Sequence, residues 1–141
     1  MAATTVAVLG GCVGSSRATV DYQRKAVATT ELVESSVRTV ELAAQAAGDR
    51  RAFGPYLSRV VGQAEDDATS ALGGFETVQP PADESDDLRT QVEQLASDAI
   101  DVLAEARITI RRDDVDGLAA LAEPLRDAGD QLEQFGEEHK A

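Results

Sequence analysis

The chain has a single cysteine, a single histidine, no tryptophan and only two lysines among 141 residues. Aromatic residues make up 4% of it. Each scarcity excludes something. One cysteine, Cys12, rules out an intrachain disulfide and a cysteine metal cluster. One histidine, His139, cannot supply the paired Glu-x-x-His ligands of a bundle metal site. His139 is expected in a solvated tail, and with no other histidine neither a Ser-His-Asp triad nor a Cys-His pair is expected. Cys12 has no basic neighbour to activate its thiol. The longest apolar run falls well short of the ~20 residues a membrane-spanning helix needs. Gly10-Gly11 and Gly73-Gly74 lack the lysine and spacing of a phosphate loop. No catalytic residue, metal or cofactor is therefore expected.

What is present is acid and small aliphatic side chains. Fourteen Asp and twelve Glu face eleven Arg and two Lys, for a net charge of −13. That sign is wrong for a phosphate-binding footprint, so nucleic acid is not an expected partner. An anionic membrane surface would repel the folded body as well. Hydrophobic residues are 43% of the chain, enough for one domain with a core of Val, Leu, Ile and Ala.

The apolar residues follow helical spacing from Thr19 onward. Ala26, Thr30, Val33, Val37, Val40, Ala44 and Ala47 form one stripe that Gly48-Asp49 stops. A second helix starts near Pro55 and carries Leu57, Val61, Ala64, Ala68, Ala71 and Phe75, with Gly73-Gly74 weakening its end. A third, capped by Asp83 or Ser85, carries Leu88, Val92, Leu95, Ala99, Val102, Ala106 and Thr109, widened by Ile100, Leu103 and Ile110. Past an Asp113-Asp114 turn, Leu118, Leu121, Leu125, Ala128, Leu132 and Phe135 keep one phase across Pro124. One kinked fourth helix ending at Gly136 is expected there. No strand-like alternation competes. The expected fold is all-α, a four-helix up-down-up-down antiparallel bundle with a kinked last helix. Long hairpins that pair between chains are the alternative architecture.

The carboxylate clusters invite a metal reading. Asp114, Asp116, Gly117 and Glu123 follow a calcium-loop pattern counted from position 112, but Arg112 replaces its first ligand. The simpler reading makes Asp113 a helix cap and Arg111-Arg112 the basic close of the preceding helix. Asp83-Glu84 and Asp86-Asp87 sit where negative charge favours a helix start.

The remaining feature is the N-terminal stretch. Leu9-Gly10-Gly11-Cys12 resembles a lipobox, the Leu-x-Gly/Ala-Cys signature of prokaryotic lipoproteins. Ala2-Ala3-Thr4-Thr5-Val6-Ala7-Val8-Leu9 is similar to the second half of twin-arginine lipoprotein signals of halophilic archaea, and the acidic, lysine-poor composition looks like proteins of those organisms. No Arg or Lys precedes the apolar run, so the charged start of such a signal is not among these residues. The resemblance implies lipid attachment at Cys12, with Val13-Gly14-Ser15-Ser16 as a flexible tether. It implies residues 1–18 as truncated signal, lipobox and tether, 19–138 as the bundle and 139–141 as a tail. The expected location is the extracytoplasmic face of the cell membrane, with the lipid as membrane anchor and a binding or scaffolding role that is not enzymatic. A protein partner or a homo-oligomer fits that role. The alternative is a cytoplasmic helical adaptor that self-associates.

Overall fold

The computed structural model describes residues 13–140. Among them the chain is all helix and turn, and it folds as a helical bundle. Its elements are α1 (Val13–Gly48), α2 (Gly54–Glu76), a short 3₁₀ turn (Asp83–Ser85), α3 (Asp86–Arg111), α4 (Val115–Ala120) and α5 (Ala122–His139). Helix α1 begins at Val13, so residues 13–16, expected to be a flexible tether, are its first turn.

Helix α1 organises the packing. Its stripe of Ala26, Thr30, Val33, Val37, Val40, Ala44 and Ala47 is buried throughout, and α1 touches each of the other helices. Thr30 is accommodated inside because its hydroxyl donates to the Val27 carbonyl at 2.9 Å. Facing the stripe are Leu57 and Val61 of α2, Leu103 of α3, Leu118 of α4, and Leu125 and Leu132 of α5. A second cluster of Tyr22, Phe75, Val92 and Phe135 fills the end near the N-terminus of α1.

Three helix ends differ from expectation. Helix α2 runs through Gly73 and Gly74 to Glu76, because Leu72 and Phe75 bury their side chains in that last turn. Helix α5 continues past Gly136 to His139. The single kinked fourth helix is two helices, separated at Leu121. Pro124 has no N–H to offer the Ala120 carbonyl, so the ladder stops and restarts three residues before it. Leu118, Leu125 and Leu132 are nonetheless all buried, so the chain bends without losing phase. In α3 the buried residues are Val92, Ala96, Ala99, Leu103, Ala106 and Ile110. The expected Leu95 and Val102 lie at the edge of that face, only partly buried.

A polar interlock joins α1 to α5, which run in opposite directions. Arg38 donates to Asp130 at 2.7 Å, to Glu133 at 3.1 Å and to Glu41 at 3.3 Å. Glu34, four residues earlier on α1, lies 3.5 Å from it. Glu41 is buried and also accepts from Arg126 at 3.0 Å and Gln45 at 3.1 Å. The bond to Asp130 is the largest of the effects that hold the Arg38 guanidinium above its ordinary pKa. Gly129 makes room for it: a Cβ there would meet the Arg38 guanidinium carbon at 2.7 Å.

The interlock predicts a sign reversal. Gly129→Ala should gain about 1 kcal/mol of helix propensity in an Arg38→Ala background, where the guanidinium is gone. In the wild-type chain the same substitution displaces Arg38 from its carboxylates and should give no gain or a loss. Urea unfolding of the four chains of this double-mutant cycle measures the difference, expected at about 1–2 kcal/mol.

Candidate functional site

Cys12, the expected lipid attachment point, lies outside the described residues. The calcium-like segment is a turn whose carboxylates serve the backbone. Asp114 is the N-cap of α4, accepting from the Gly117 N–H at 2.7 Å. The cap is thus Asp114 and not Asp113, which takes a left-handed conformation at φ 58°. No group of three or more His, Cys, Asp or Glu side chains converges for a metal among the described residues. His139, expected in a solvated tail, belongs to α5. Its ring stacks on Phe135 with centroids 4.2 Å apart, its Nδ1 lies 2.9 Å from the Phe135 carbonyl, and its own carbonyl accepts from Gln23 at 2.7 Å. Of the acidic run at 65–67, Glu65 pairs with Arg107 of α3 and Asp67 accepts from Gln63 at 2.8 Å. These carboxylates fasten helices and turns.

Two surfaces have no such internal use. The first is a groove of about 470 Å³ between α3 and α5. Its floor is Leu95 and Phe135. Its walls repeat one pattern on both helices. On α3 the order is Asp87, Gln91, Gln94, Asp98; on α5 it is Asp127, Gln131, Gln134, Glu138. Each set is spaced 4, 3, 4, which keeps all four residues on one helical face. Gln94 donates to Asp98 at 2.9 Å and Gln134 to Glu138 at 2.8 Å, and because α3 and α5 run in opposite directions these two bonds point opposite ways along the groove. The result is an apolar trough lined by amides with carboxylates toward its corners. The pattern is readable in the sequence once α3 and α5 are known to be neighbours.

The second surface is the bundle end built by the α1–α2 and α3–α4 turns. Both turns close a helix in the same way. After α1, the Arg50 N–H bonds the Ala47 carbonyl at 3.0 Å and the Arg51 N–H bonds the Ala46 carbonyl at 2.9 Å. After α3, the Asp113 N–H bonds the Ile110 carbonyl at 3.0 Å and the Asp114 N–H bonds the Thr109 carbonyl at 3.3 Å. Both are Schellman closures, with Arg50 (φ 55°) and Asp113 at the left-handed position. Aspartate tolerates that conformation; arginine does so at a cost. Beside Arg50, Phe53 takes the N-cap position of α2 without a side-chain cap bond and is 82% exposed. Tyr56 is 61% exposed. Arg51, Arg111 and Arg112 are exposed too, and none forms an ion pair among the described residues. Two arginine pairs, each ending a helix that points the same way, are the sequence signal for this end.

Arg50 and Phe53 are therefore poor choices for stability. Arg50→Gly should relieve a left-handed strain of about 1–2 kcal/mol, less 0.4–1 for the extra freedom of the unfolded chain. Phe53→Ser should supply the missing cap, worth roughly 0.5–1 kcal/mol. Both variants should unfold at higher urea concentration than the wild type, with unchanged slope. No family model, curated protein or solved structure matches the chain.

Proposed function

We propose that this chain is a lipid-anchored extracytoplasmic protein, held at the outer face of the cytoplasmic membrane through Cys12, with a binding or scaffolding role and no catalytic one. The observation that carries the reading is Leu9-Gly10-Gly11-Cys12, small residues leading to the only thiol, immediately ahead of α1. The lipidated Cys12 would be the whole membrane attachment of the described body, since none of its helices is long and apolar enough to cross a bilayer. Helix α1 is 36 residues long, about 54 Å at 1.5 Å per residue, and leads from the Cys12 end to the arginine and aromatic end. An anchor at one end of the rod and exposed Arg, Phe and Tyr at the other is the arrangement of a presented docking surface. A cytoplasmic adaptor built from the same bundle is the competing reading, and the unpaired end and groove serve it equally.

The test is Cys12→Ser in a halophilic host, expressed from the native locus so that whatever precedes Met1 is retained. The wild-type chain should fractionate with membranes and its Cys12 peptide should carry a lipid mass; the variant should not sediment with membranes. Equal partition of the two chains overturns the reading. The acidic composition gives a second outcome. Molar salt shortens the screening length to about 3 Å and quiets the repulsion within a −13 domain. The melting temperature followed by circular dichroism should rise by roughly 5 °C or more between low and molar salt.

A further inference from the structure

The two idle surfaces are complementary to each other. At the bundle end, Arg50 sits where glycine would fold better and Phe53 where serine would. Local rules are broken in this way where a residue answers to something other than folding. Arginine and aromatic side chains are also the commonest anchors of protein interfaces. The α3/α5 groove offers what such an end needs, an apolar floor of Leu95 and Phe135 with Glu138 in its lining, while helical spacing sets Asp87, Asp98 and Asp127 on the same faces just beyond it.

We propose that the arginine and phenylalanine end of one copy docks in the α3/α5 groove of a second copy. Phe53 enters over Leu95 and Phe135. Arg50, Arg51, Arg111 and Arg112 meet the carboxylates of Asp87, Asp98, Asp127 and Glu138. Charge selects this pairing. Residues 49–59 and 105–116 hold six arginines against five carboxylates, while the rest of the chain holds seven bases against 21 acids. This end therefore adds little to the repulsion between two acidic bodies when it meets the groove carboxylates of a second copy. In molar salt the arginine contacts act only at touching distance, and burial of Phe53 supplies the salt-tolerant part of the hold. Since the two surfaces differ, the contact is heterologous and propagates head to tail beyond a dimer. This pairing needs only the bundle and is independent of a lipid on Cys12.

Sedimentation velocity of the full chain in molar potassium chloride tests it. The wild type should form dimers and larger species as concentration rises. Phe53→Ser, which keeps or improves folding, should weaken association by roughly tenfold or more. Gln91→Arg with Gln131→Arg should block the groove to the same extent, with the helical circular dichroism retained. Gln94→Arg with Gln134→Arg serves if the first pair unfolds the chain. Mixed in equal amounts, the Phe53→Ser and groove variants should form heterodimers and nothing larger, because one intact end faces one intact groove. A wild type that stays monomeric assigns the surfaces to other proteins and overturns the proposal. So does a wild type that stops at dimers, a Phe53→Ser chain that assembles unimpaired, or two variants that do not pair.

Discussion

Every other helix depends on how closely it can approach the stripe on α1. With few aromatic residues available, the interior is filled by alanine, valine and leucine. Such side chains reach native packing density only if the helix axes come near, toward the low end of the usual 8–10 Å. Ala26, Ala44 and Ala47 grant that approach, and Val33, Val37 and Val40 fill what is left, each removing apolar surface worth roughly 2 kcal/mol from water. A larger side chain at any of the three alanines would act as a wedge against several helices together, because α1 is the element they share. The aromatic residues that do become buried, Tyr22, Phe75 and Phe135, are gathered at one end, where the bundle is closed by bulk instead of by intimacy.

Close apolar contact alone does not fix how far one helix slides along another. A stripe spaced 4 and 3 repeats every seven residues, so α5 shifted by one heptad along α1 would still present an apolar face. The polar interlock removes that freedom. Advancing α5 by seven residues would bring Gly136 opposite Arg38, so the gap for the guanidinium would survive. The charges would not. Glu133 would replace Arg126 against the buried Glu41, and Lys140 would replace Glu133 beside Arg38. Two attractive contacts become two repulsions, one of them at a poorly solvated carboxylate. Arg38, Glu41, Arg126 and Glu133 thus specify register, whereas Asp130, whose place Glu137 would take, serves either register. The value of the discriminating contacts lies in that choice more than in net stability.

The same physics explains what could be read from the chain alone. The stripe on α1 was legible residue by residue, because every position on it is apolar or threonine and no glycine or proline interrupts the spacing. On α3 the buried face keeps Val92, Ala99 and Ala106 and sets Ala96, Leu103 and Ile110 beside them instead of Leu95, Val102 and Thr109; both sets repeat every seven residues, so spacing alone does not choose between them. Gly73-Gly74 weakens a helix end and Gly136 reads as a stop because glycine costs about 1 kcal/mol inside a helix. Phe75 and Phe135 bury enough surface just beside them to carry the helix on. Asp113 and Asp114 both suit a cap, and only the Schellman closure decides which of them takes the left-handed turn. The groove is not legible in the sequence because its two walls are 40 residues apart. Neither acid–Gln–Gln–acid set means anything until α3 and α5 are known to be neighbours.

The distribution of charge gives the molecule a direction that its fold alone does not. The net negative charge of the chain resides outside residues 49–59 and 105–116, which together are close to neutral. At the end where Tyr22 packs on Phe75, the carboxylates of Asp21, Asp83, Glu84, Asp86 and Asp87 are interleaved with Arg17, Arg24, Lys25 and Arg89, and Arg24 and Arg89 spend their charge on neighbouring carboxylates. At the opposite end Arg51, Arg111 and Arg112 stand exposed without such partners among the described residues, beside exposed Phe53 and Tyr56. The two ends of the bundle therefore differ less in how many bases they hold than in whether those bases are already engaged, and it is the unengaged set that a neighbouring surface can still bind.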